Sequence, residues 1–266
     1  MHILVTNDDG VLAPGLLALA QALRANPEAK VTVLAPDRNW SASGHVKTMS
    51  RPMRINPVAL ADGSSALACD GAPSDCVALA LLGVVEEPID LVGSGINPNA
   101  NVGNDVTYSG TVTAAMEASV NNRPGFAVSL DTPEHFEGVL DYTAAASASA
   151  KVIFKLYSFY RFDLPAPIWN INLPYRTSGD YAGVQITRQG TRIYSNAVVR
   201  RLDPRGQPYY WIGGDAPSGI EEPGTDYGAI KAGFISVTPL LLDMTDNLRL
   251  ERASQLQQEN KKFFAI

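Results

Sequence analysis

The sequence predicts an α/β fold built on a doubly wound, mainly parallel sheet. Two observations indicate this fold. Apolar runs of strand length alternate with stretches of helical period, the order expected of βαβ units. Polar loops rich in glycine and asparagine follow several of these strands, where open parallel sheets bind their ligands. The 266 residues suffice for one large domain, or for one domain with an appendage, and for a substantial core.

Residues 1–173 contain the predicted α/β core. Pro14 and Gly15 open its first helix, and Asn26-Pro27 ends it. The predicted strands cover 2–6, 31–35, 51–57, 66–69, 91–93, 126–129 and 168–172. The predicted helices cover 14–24, 73–82, 110–120 and 136–158.

Residues 174–266 form a C-terminal part with a different residue pattern. Polar and apolar residues alternate over about 183–213, a segment that we call the arm. The turn Asp203-Pro204-Arg205-Gly206 predicts a hairpin, because proline presets one turn position and glycine allows a positive φ. A two-stranded ribbon is marginal in water. It must therefore pack on its own domain or on another subunit, and both remain open. A strand near 234–238 and a helix from about 246 complete the chain.

The composition excludes several classes of function. The net charge of −6, without long runs of one sign, argues against binding a nucleic acid polymer or an anionic membrane through a basic face. The chain enters a strand at once and has no long apolar run, so we expect a cytoplasmic protein.

Cysteine and histidine are sparse. Cys69 and Cys76 are expected to be buried structural thiols. The three histidines support neither a zinc site of the usual type nor a Ser-His-Asp triad. His45 is either a catalytic group or a solvated loop residue.

Asp8 and Asp9 stand where the first strand should end. Two adjacent carboxylates repel each other unless a cation or a shared proton relieves them, and a hard metal ion would do so. The alternative is an ordinary turn, in which one acid caps the next helix and the other is solvated.

Two further loops offer neutral oxygen ligands. The loop 35–44 follows the second strand and carries hydroxyls that suit Mg²⁺, Mn²⁺ or Ca²⁺, although a turn-rich surface loop fits equally well. The loop 93–103 carries three asparagines and three glycines. Pro98 breaks any G-x-G-x-x-G pattern, and no Gly-Lys-Ser/Thr occurs, so neither a dinucleotide fingerprint nor a P-loop is present.

A fourth loop opens the helix predicted at 110. Ser109-Gly110-Thr111 presents unpaired backbone N–H groups, a positive dipole end and two hydroxyls, which together suit a phosphate. The alternative is a plain N-cap at Ser109 or Thr111.

Taken in order, these segments resemble the stationary-phase survival protein SurE family of metal-dependent nucleotide phosphatases, over nearly the whole chain. The matching segments are Thr6-Asn7-Asp8-Asp9-Gly10, Ala35-Pro36-Asp37-Arg38 with Ser41, Gly71-Ala72-Pro73-Ser74-Asp75-Cys76-Val77, Ser94-Gly95-Ile96-Asn97, Tyr108-Ser109-Gly110-Thr111-Val112 with Ala114-Ala115-Met116-Glu117, Asp203-Pro204-Arg205-Gly206, Tyr210-Trp211-Ile212-Gly213, Gly224-Thr225-Asp226 and Ser236-Val237-Thr238-Pro239-Leu240.

The resemblance implies a Rossmann-like three-layer core with an extended C-terminal arm used in homodimers or homotetramers. It implies one divalent metal ion per subunit, Mg²⁺ or Mn²⁺ with Ca²⁺ able to occupy the site, on Asp8, Asp9, Ser41 and Asn97. Ser109, Gly110 and Thr111 would hold the phosphate, with Asn7 close by. The chain departs from the family in two places. Residues 42–45 read Ala-Ser-Gly-His where many members have Gly after the serine, which puts details of the entrance to the substrate site in doubt. Leu241 stands where some members have a histidine, which puts a subunit contact made by that histidine in doubt.

The expected function is metal-dependent hydrolysis of nucleoside 5′- and 3′-monophosphates, and of short polyphosphate. Asp8 and Asp9 would be the catalytic residues, as ligands and as the base that orients an attacking water. Direct attack by an aspartate is less favoured, because phosphatases that use it space their acids two apart and Asn7 stands where the first would be. A non-catalytic nucleotide- or metal-binding oligomer is the second interpretation; the missing glycine pattern disfavours a Rossmann-type cofactor enzyme.

Overall fold

A computed structural model describes residues 1–195, 197–213 and 217–259, so the final seven residues of the predicted C-terminal part lie outside it. The strands are β1 (His2–Thr6), β2 (Lys30–Pro36), β3 (Ile55–Ala59), β4 (Ser65–Cys69), β5 (Leu91–Asn97), β6 (Gly125–Asp131), β7 (Ile168–Pro174), β8 (Val184–Ile186), β9 (Arg192–Ile193), β10 (Ala197–Leu202), β11 (Pro208–Gly213), β12 (Ser218–Gly219) and β13 (Ile235–Leu240). The helices are α1 (Pro14–Arg24), α2 (Pro73–Leu79), α3 (Gly110–Val120), α4 (Thr143–Tyr160), α5 (Asp226–Lys231) and α6 (Asn247–Glu259), with a π-helical turn at Ala80–Val84 and a 3₁₀ turn at Gly103–Thr107.

Nine strands form one sheet in the order β3-β4-β2-β1-β5-β6-β7-β13-β8. The six strands from β4 to β7 run parallel, whereas β3 and β13 are antiparallel to their neighbours β4 and β7. The order reverses on either side of β1, so the loops after β1, β2 and β5 meet at one edge. This confirms the predicted α/β fold.

Helices cover both faces of the sheet. Side chains alternate along β1, so Ile3 and Val5 pack in one core with α1 and α4, while Leu4 packs with α2 and α3 on the opposite face. Cys69 and Cys76 are both buried in the second core as free thiols, as predicted. None of the described helices combines the length and the apolar character needed to cross a membrane.

The C-terminal hairpin is present and stands away from the core. β10 pairs antiparallel with β11, and Asp203 closes the turn by accepting backbone N–H bonds from Arg205 and Gln207, each at 2.8 Å. All residues of both strands are exposed, including Ile212 at 92%. Folding of the ribbon back onto its own core, one of the two alternatives, is therefore not what the described residues adopt.

Four predicted boundaries were wrong. The helix predicted over 136–158 begins only at Thr143, because His135 and Gly138 have positive φ angles of 56° and 126° and the chain turns there. The strand predicted over 51–57 is shifted to β3, because the Asp70 side chain binds the Arg54 backbone N–H at 2.9 Å instead of leaving it for the sheet.

The other two errors concern where a correctly predicted helix and a correctly predicted strand end. The helix predicted over 73–82 gives way to a π-helical turn after Leu79, with Gly83 at φ 115°. The strand predicted over 91–93 continues to Asn97, because Ser94 and Asn97 still pair with Ala127 and Ser129 of β6.

Candidate active site

The acid pair lies directly after β1, at the carboxyl edge of the sheet. Asp8 is only 3% exposed, and Asp9 is partly buried. The Asn7 side chain shapes the turn that carries both acids: its Nδ2 donates to the Gly10 carbonyl at 2.9 Å and its Oδ1 accepts from the Gly10 N–H at 3.2 Å. Gly10 itself has a φ of 106°, which few other residues adopt. Asn7, expected near the phosphate, is thus engaged in holding the turn.

The first turn of α3 lies against Asp8. Thr111 Oγ1 donates to Asp8 Oδ1 at 2.6 Å. A Cβ added to Gly110 would come within 2.7 Å of the Asp8 Cβ, so only glycine permits this approach. Ser109 Oγ accepts the Val112 N–H at 3.1 Å and is the N-cap of the helix. The N-cap at Ser109 is thus present, and Gly110 and Thr111 lie against Asp8.

Both carboxyl groups of the pair have raised pKa values, as expected for acids removed from water. Burial raises the pKa of Asp8, opposed by the Thr111 hydroxyl and by the backbone N–H groups of Asp8, Thr111 and Gly110. Burial and then repulsion by Asp8 raise the pKa of Asp9 to about 7. The two carboxyl groups are therefore difficult to ionise together without a nearby cation.

The loop after β2 reaches both acids. The Trp40 N–H donates to the Asp8 carbonyl at 2.7 Å, and Asn39 Nδ2 lies 3.4 Å from Asp9 Oδ1. Asn39 Oδ1 in turn accepts the Ser41 N–H at 2.8 Å. Ser41 is exposed and next to the residue that binds Asp8, so its hydroxyl is available at this edge.

Asn97 ends β5, the neighbour of β1. Thr6 pairs with Ser94, so Asp9 and Asn97 each lie three residues beyond a paired position on adjacent parallel strands. Asn97 Nδ2 donates to the Asn99 carbonyl at 2.5 Å, and no described residue donates to its Oδ1. The amide oxygen is therefore free to bind a ligand.

A buried amide network holds the segment that follows Asn97. The Asn101 N–H donates to Asn172 Oδ1 at 2.8 Å, and the Asn101 carbonyl accepts from Asn170 Nδ2 at 2.8 Å and from Asn172 Nδ2 at 3.1 Å. Asn101 Nδ2 donates to Ser129 Oγ at 2.8 Å. Four side chains on β6, β7 and the loop thus fix the course of the chain beyond β5.

Glu117 anchors the loop that carries Ser41. Its carboxylate lies on α3, is 3% exposed, and binds His45 Nε2 and Lys47 Nζ, each at 2.9 Å. The Gly44 N–H also donates to the Tyr108 carbonyl at 2.9 Å. His45 is an exposed loop residue whose described side-chain contact is with Glu117 rather than with the acid pair, so it anchors the loop.

Any cation here would need neutral oxygen ligands as well as the acids. Within the part of the chain that the structure describes, no three His, Cys, Asp or Glu side chains are grouped as a metal site. The two adjacent carboxylates, the hydroxyl of Ser41 and the free amide oxygen of Asn97 are all oxygen donors, the kind that Mg²⁺, Mn²⁺ and Ca²⁺ prefer. The donor chemistry fits a hard divalent cation.

A cavity of 420 Å³ opens beside Asp9. Its wall includes Leu12, Arg38, Pro98 and Tyr142, and the Arg38 guanidinium lies 5.0 Å from the Trp40 ring centroid. Burial, followed by the charge of Asp9, raises the pKa of Tyr142 to about 12, so the phenol stays neutral beside the acids. A small polar ligand can reach Asp9 from this side.

A family model for the survival protein SurE matches residues 3–196. The chain belongs to the SurE family. Two relatives, each named 5′-nucleotidase SurE, support the assignment at high coverage. The relative from Herpetosiphon aurantiacus is 48% identical over 96% of this chain and 97% of its own length, and that from Chloroflexus aggregans is 46% identical over 97% and 100%.

A solved SurE structure shares the fold. The crystal structure of the SurE protein from Aquifex aeolicus superposes with a TM-score of 0.78 at 34% identity, covering 97% of this chain and all of the other. The membership predicted from the sequence is thereby confirmed.

Several contacts at the candidate site were not predicted from the sequence. The sequence places Glu117 in a family segment but indicates neither its contacts nor those of Asn39 and Asn101. Asn170 and Asn172 carried a signal that could have been used, because they are two apart on a strand and so face the same side. Asn39 and Glu117 carried none, since loop conformation brings them to their partners.

Proposed function

We propose that this SurE family member is a phosphomonoesterase that hydrolyses nucleoside 5′-monophosphates to nucleoside and phosphate. One observation carries the proposal: buried Asp8, one of two adjacent carboxylates, lies at the first turn of a helix, with Thr111 Oγ1 bonded to Asp8 Oδ1 at 2.6 Å. The relatives named 5′-nucleotidase SurE support the substrate class.

The arrangement calls for a cation. A phosphate held by the first turn of α3 would lie next to Asp8, so two anions would share one helix end. We propose Asp8, Asp9, Ser41 and Asn97 as the residues that hold a divalent ion, Mg²⁺ or Mn²⁺, between them. When bound, such an ion withdraws charge from a phosphoryl oxygen and makes water more acidic.

The chain's own groups then have distinct roles. Asp8 is fixed by Thr111 and faces the helix end, so it is placed to hold the ion and is poorly placed to attack phosphorus. Asp9 borders the open cavity, and its carboxylate accepts one described side-chain hydrogen bond, from Asn39 Nδ2 at 3.4 Å. We propose that the Asp9 carboxylate accepts a proton from the attacking water. The water oxygen forms the new bond to phosphorus as the bond from phosphorus to the ribose oxygen breaks; the ribose oxygen takes up a proton from solvent, and Asp9 returns the proton it accepted to solvent.

Gly110 and Thr111, with Ser109 as the cap, would bind the phosphoryl oxygens through N–H and hydroxyl groups, and these donors stabilise charge that develops during transfer. Asn7 contributes by holding the turn of the acids. We extend the proposal to 3′-monophosphates and short polyphosphate, to a cytoplasmic location, and to a homodimer or homotetramer assembled through the exposed arm.

The test is a phosphate-release assay on the purified protein. AMP, GMP, a 3′-monophosphate and tripolyphosphate are each offered with Mg²⁺, with Mn²⁺ and with EDTA. We expect release from the 5′-monophosphates with metal and loss of release on chelation. Nucleotide binding without release would identify a non-catalytic binding oligomer and overturn the proposal, as would turnover that EDTA leaves intact.

A further inference from the structure

A second and larger cavity, of 620 Å³, shares Pro98 with the cavity beside Asp9. We call it the C-terminal cavity; its wall includes Pro98, Asn99, Thr132, Phe136, Tyr227 and Lys231. Pro98 also lines the smaller cavity that contains Asp9, so the two spaces share this wall. The C-terminal cavity has the size of an ordinary small-molecule site.

Three separate parts of the chain build this cavity. Asn99 lies in the loop after β5, Thr132 and Phe136 lie in the loop after β6, and Tyr227 and Lys231 lie on α5. Thr132 Oγ1 donates to the Pro98 carbonyl at 2.5 Å and joins the first two parts. The C-terminal part of the chain therefore supplies one wall beside a reacting centre that the core provides.

The cationic side chains in the described wall are already paired. Lys231 Nζ lies 2.8 Å from Asp131 Oδ2, and Arg192 Nε lies 2.8 Å from Asp105 Oδ2. Both cations also lie near the Tyr227 ring, at 5.1 Å and 5.4 Å from its centroid. Glu134 adds a further acidic side chain to the wall. A second phosphate group would therefore find no unpaired Lys or Arg among the described residues of the wall, and a neutral ligand suits the cavity better.

Phe136 offers a flat apolar surface in the same wall. Its ring makes an edge-type contact with Tyr175, at 5.2 Å between centroids and 72° between planes, which fixes the side chain. The residue is nevertheless 37% exposed. An exposed aromatic ring beside hydrogen-bonding groups such as Asn99 and Thr132 matches an aromatic heterocycle that carries donors and acceptors.

We infer that the C-terminal cavity binds the nucleobase of the substrate against Phe136, with the sugar passing Pro98 to bring the phosphate to the acid pair. This rests on the proposed function and names the part of the substrate that the enzyme recognises away from phosphorus. Phe136 is accordingly a specificity-determining residue.

The test compares AMP with ribose 5-phosphate, which lacks the base. Phe136→Ala and Phe136→Leu are assayed beside Phe159→Ala, a control on α4 whose ring is 73% exposed. We expect the ratio of kcat/KM for AMP to that for ribose 5-phosphate to fall about tenfold in both Phe136 variants, as for the loss of one stacked base. The control keeps the wild-type ratio. The leucine variant retains an apolar side chain against Tyr175 and guards against misfolding.

Titration calorimetry with adenosine separates this inference from the proposed function. Adenosine binding that both Phe136 variants weaken supports the cavity even if no phosphomonoester is hydrolysed. An unchanged ratio together with unchanged adenosine binding overturns the inference. So does a fall in the ratio for Leu12→Ala but not for the Phe136 variants, because Leu12 lines the smaller cavity and would place the base there.

Discussion

Thr111 and Asp8, separated by 103 positions in the sequence, meet in a 2.6 Å hydrogen bond between a hydroxyl and a carboxylate. The bond joins the end of β1 to the start of α3 and is buried at both ends. It fixes one carboxylate of the acid pair while the other faces a cavity.

Loss of this hydroxyl should impair the site without removing the acid. For Thr111→Val we expect kcat/KM to fall roughly 10- to 100-fold, the range for a hydrogen bond to a charged group. Thr111→Ser keeps the hydroxyl and should retain most of the activity. Steady-state kinetics on AMP checks both, and equal losses in the two variants would assign the effect to packing of the methyl group.

Neutralising either acid should abolish most of the activity. We expect Asp8→Asn and Asp9→Asn each to lower phosphate release by roughly a hundredfold or more, because a cation loses a charged ligand. Asp163→Asn is the matched control, since Asp163 is exposed and its side chain has no described partner. Circular dichroism should show a retained fold. Near-full turnover in both site variants would place the chemistry elsewhere.

Stability of the metal-free protein should depend on pH through Asp9. Its pKa rises from 3.8 to about 7 on folding, so the group favours the folded state at low pH and this contribution is lost as pH rises through about 7. In EDTA, the melting temperature of Asp9→Asn relative to wild type should therefore increase from about pH 5 to about pH 8. Mg²⁺ should stabilise the wild type more at the higher pH. A difference between the two proteins that does not change with pH would contradict the assignment.

Glu117 should hold the loop that carries Ser41. Glu117→Gln removes the charge that binds His45 and Lys47, and we expect the free energy of unfolding to fall by about 1 to 2 kcal/mol. Trypsin should then cut the loop after Lys47 faster than in wild type. Glu251→Gln on the exposed helix α6 is the control. Equal cleavage rates in all three proteins would mean that other contacts hold the loop.

The arm should be an oligomer contact. Ile212 is 92% exposed on β11, and placing a charge there by Ile212→Asp should reduce the oligomer to a smaller species in multi-angle light scattering. Phe162→Asp, at a residue that is 82% exposed after α4, should leave the mass unchanged. A wild-type protein that is already monomeric would contradict the prediction outright.

The sequence predicted the helices and strands of the core well because the hydrophobic periodicity and the residues that start or stop a helix agree there. Pro14 and the stop at Asn26-Pro27 bounded α1, and the start of α3 at Gly110 was also placed correctly. The onset of α4 failed because the apolar pattern before Thr143 resembles a helix, whereas His135 and Gly138 adopt left-handed φ angles. Local pattern does not encode such a turn.

The candidate site shows the same contrast between what local sequence predicts and what it does not. Asp8, Gly110 and Thr111 were each named from local motifs, and the structure brings them into contact. The anchoring of His45 by Glu117, 72 positions away, depends on the path of an irregular loop and has no periodic signature. Loop contacts of this kind arise from tertiary packing and could not be read from spacing.

The most direct test of the central claim is a crystal structure with Mn²⁺ and inorganic phosphate, with anomalous scattering used to place the metal. We predict one manganese peak per chain, contacting the Asp8 and Asp9 carboxylates, with the phosphate between the metal and the first turn of α3 at Gly110 and Thr111. A manganese ion bound away from both acids, or a phosphate bound away from α3, would contradict the account.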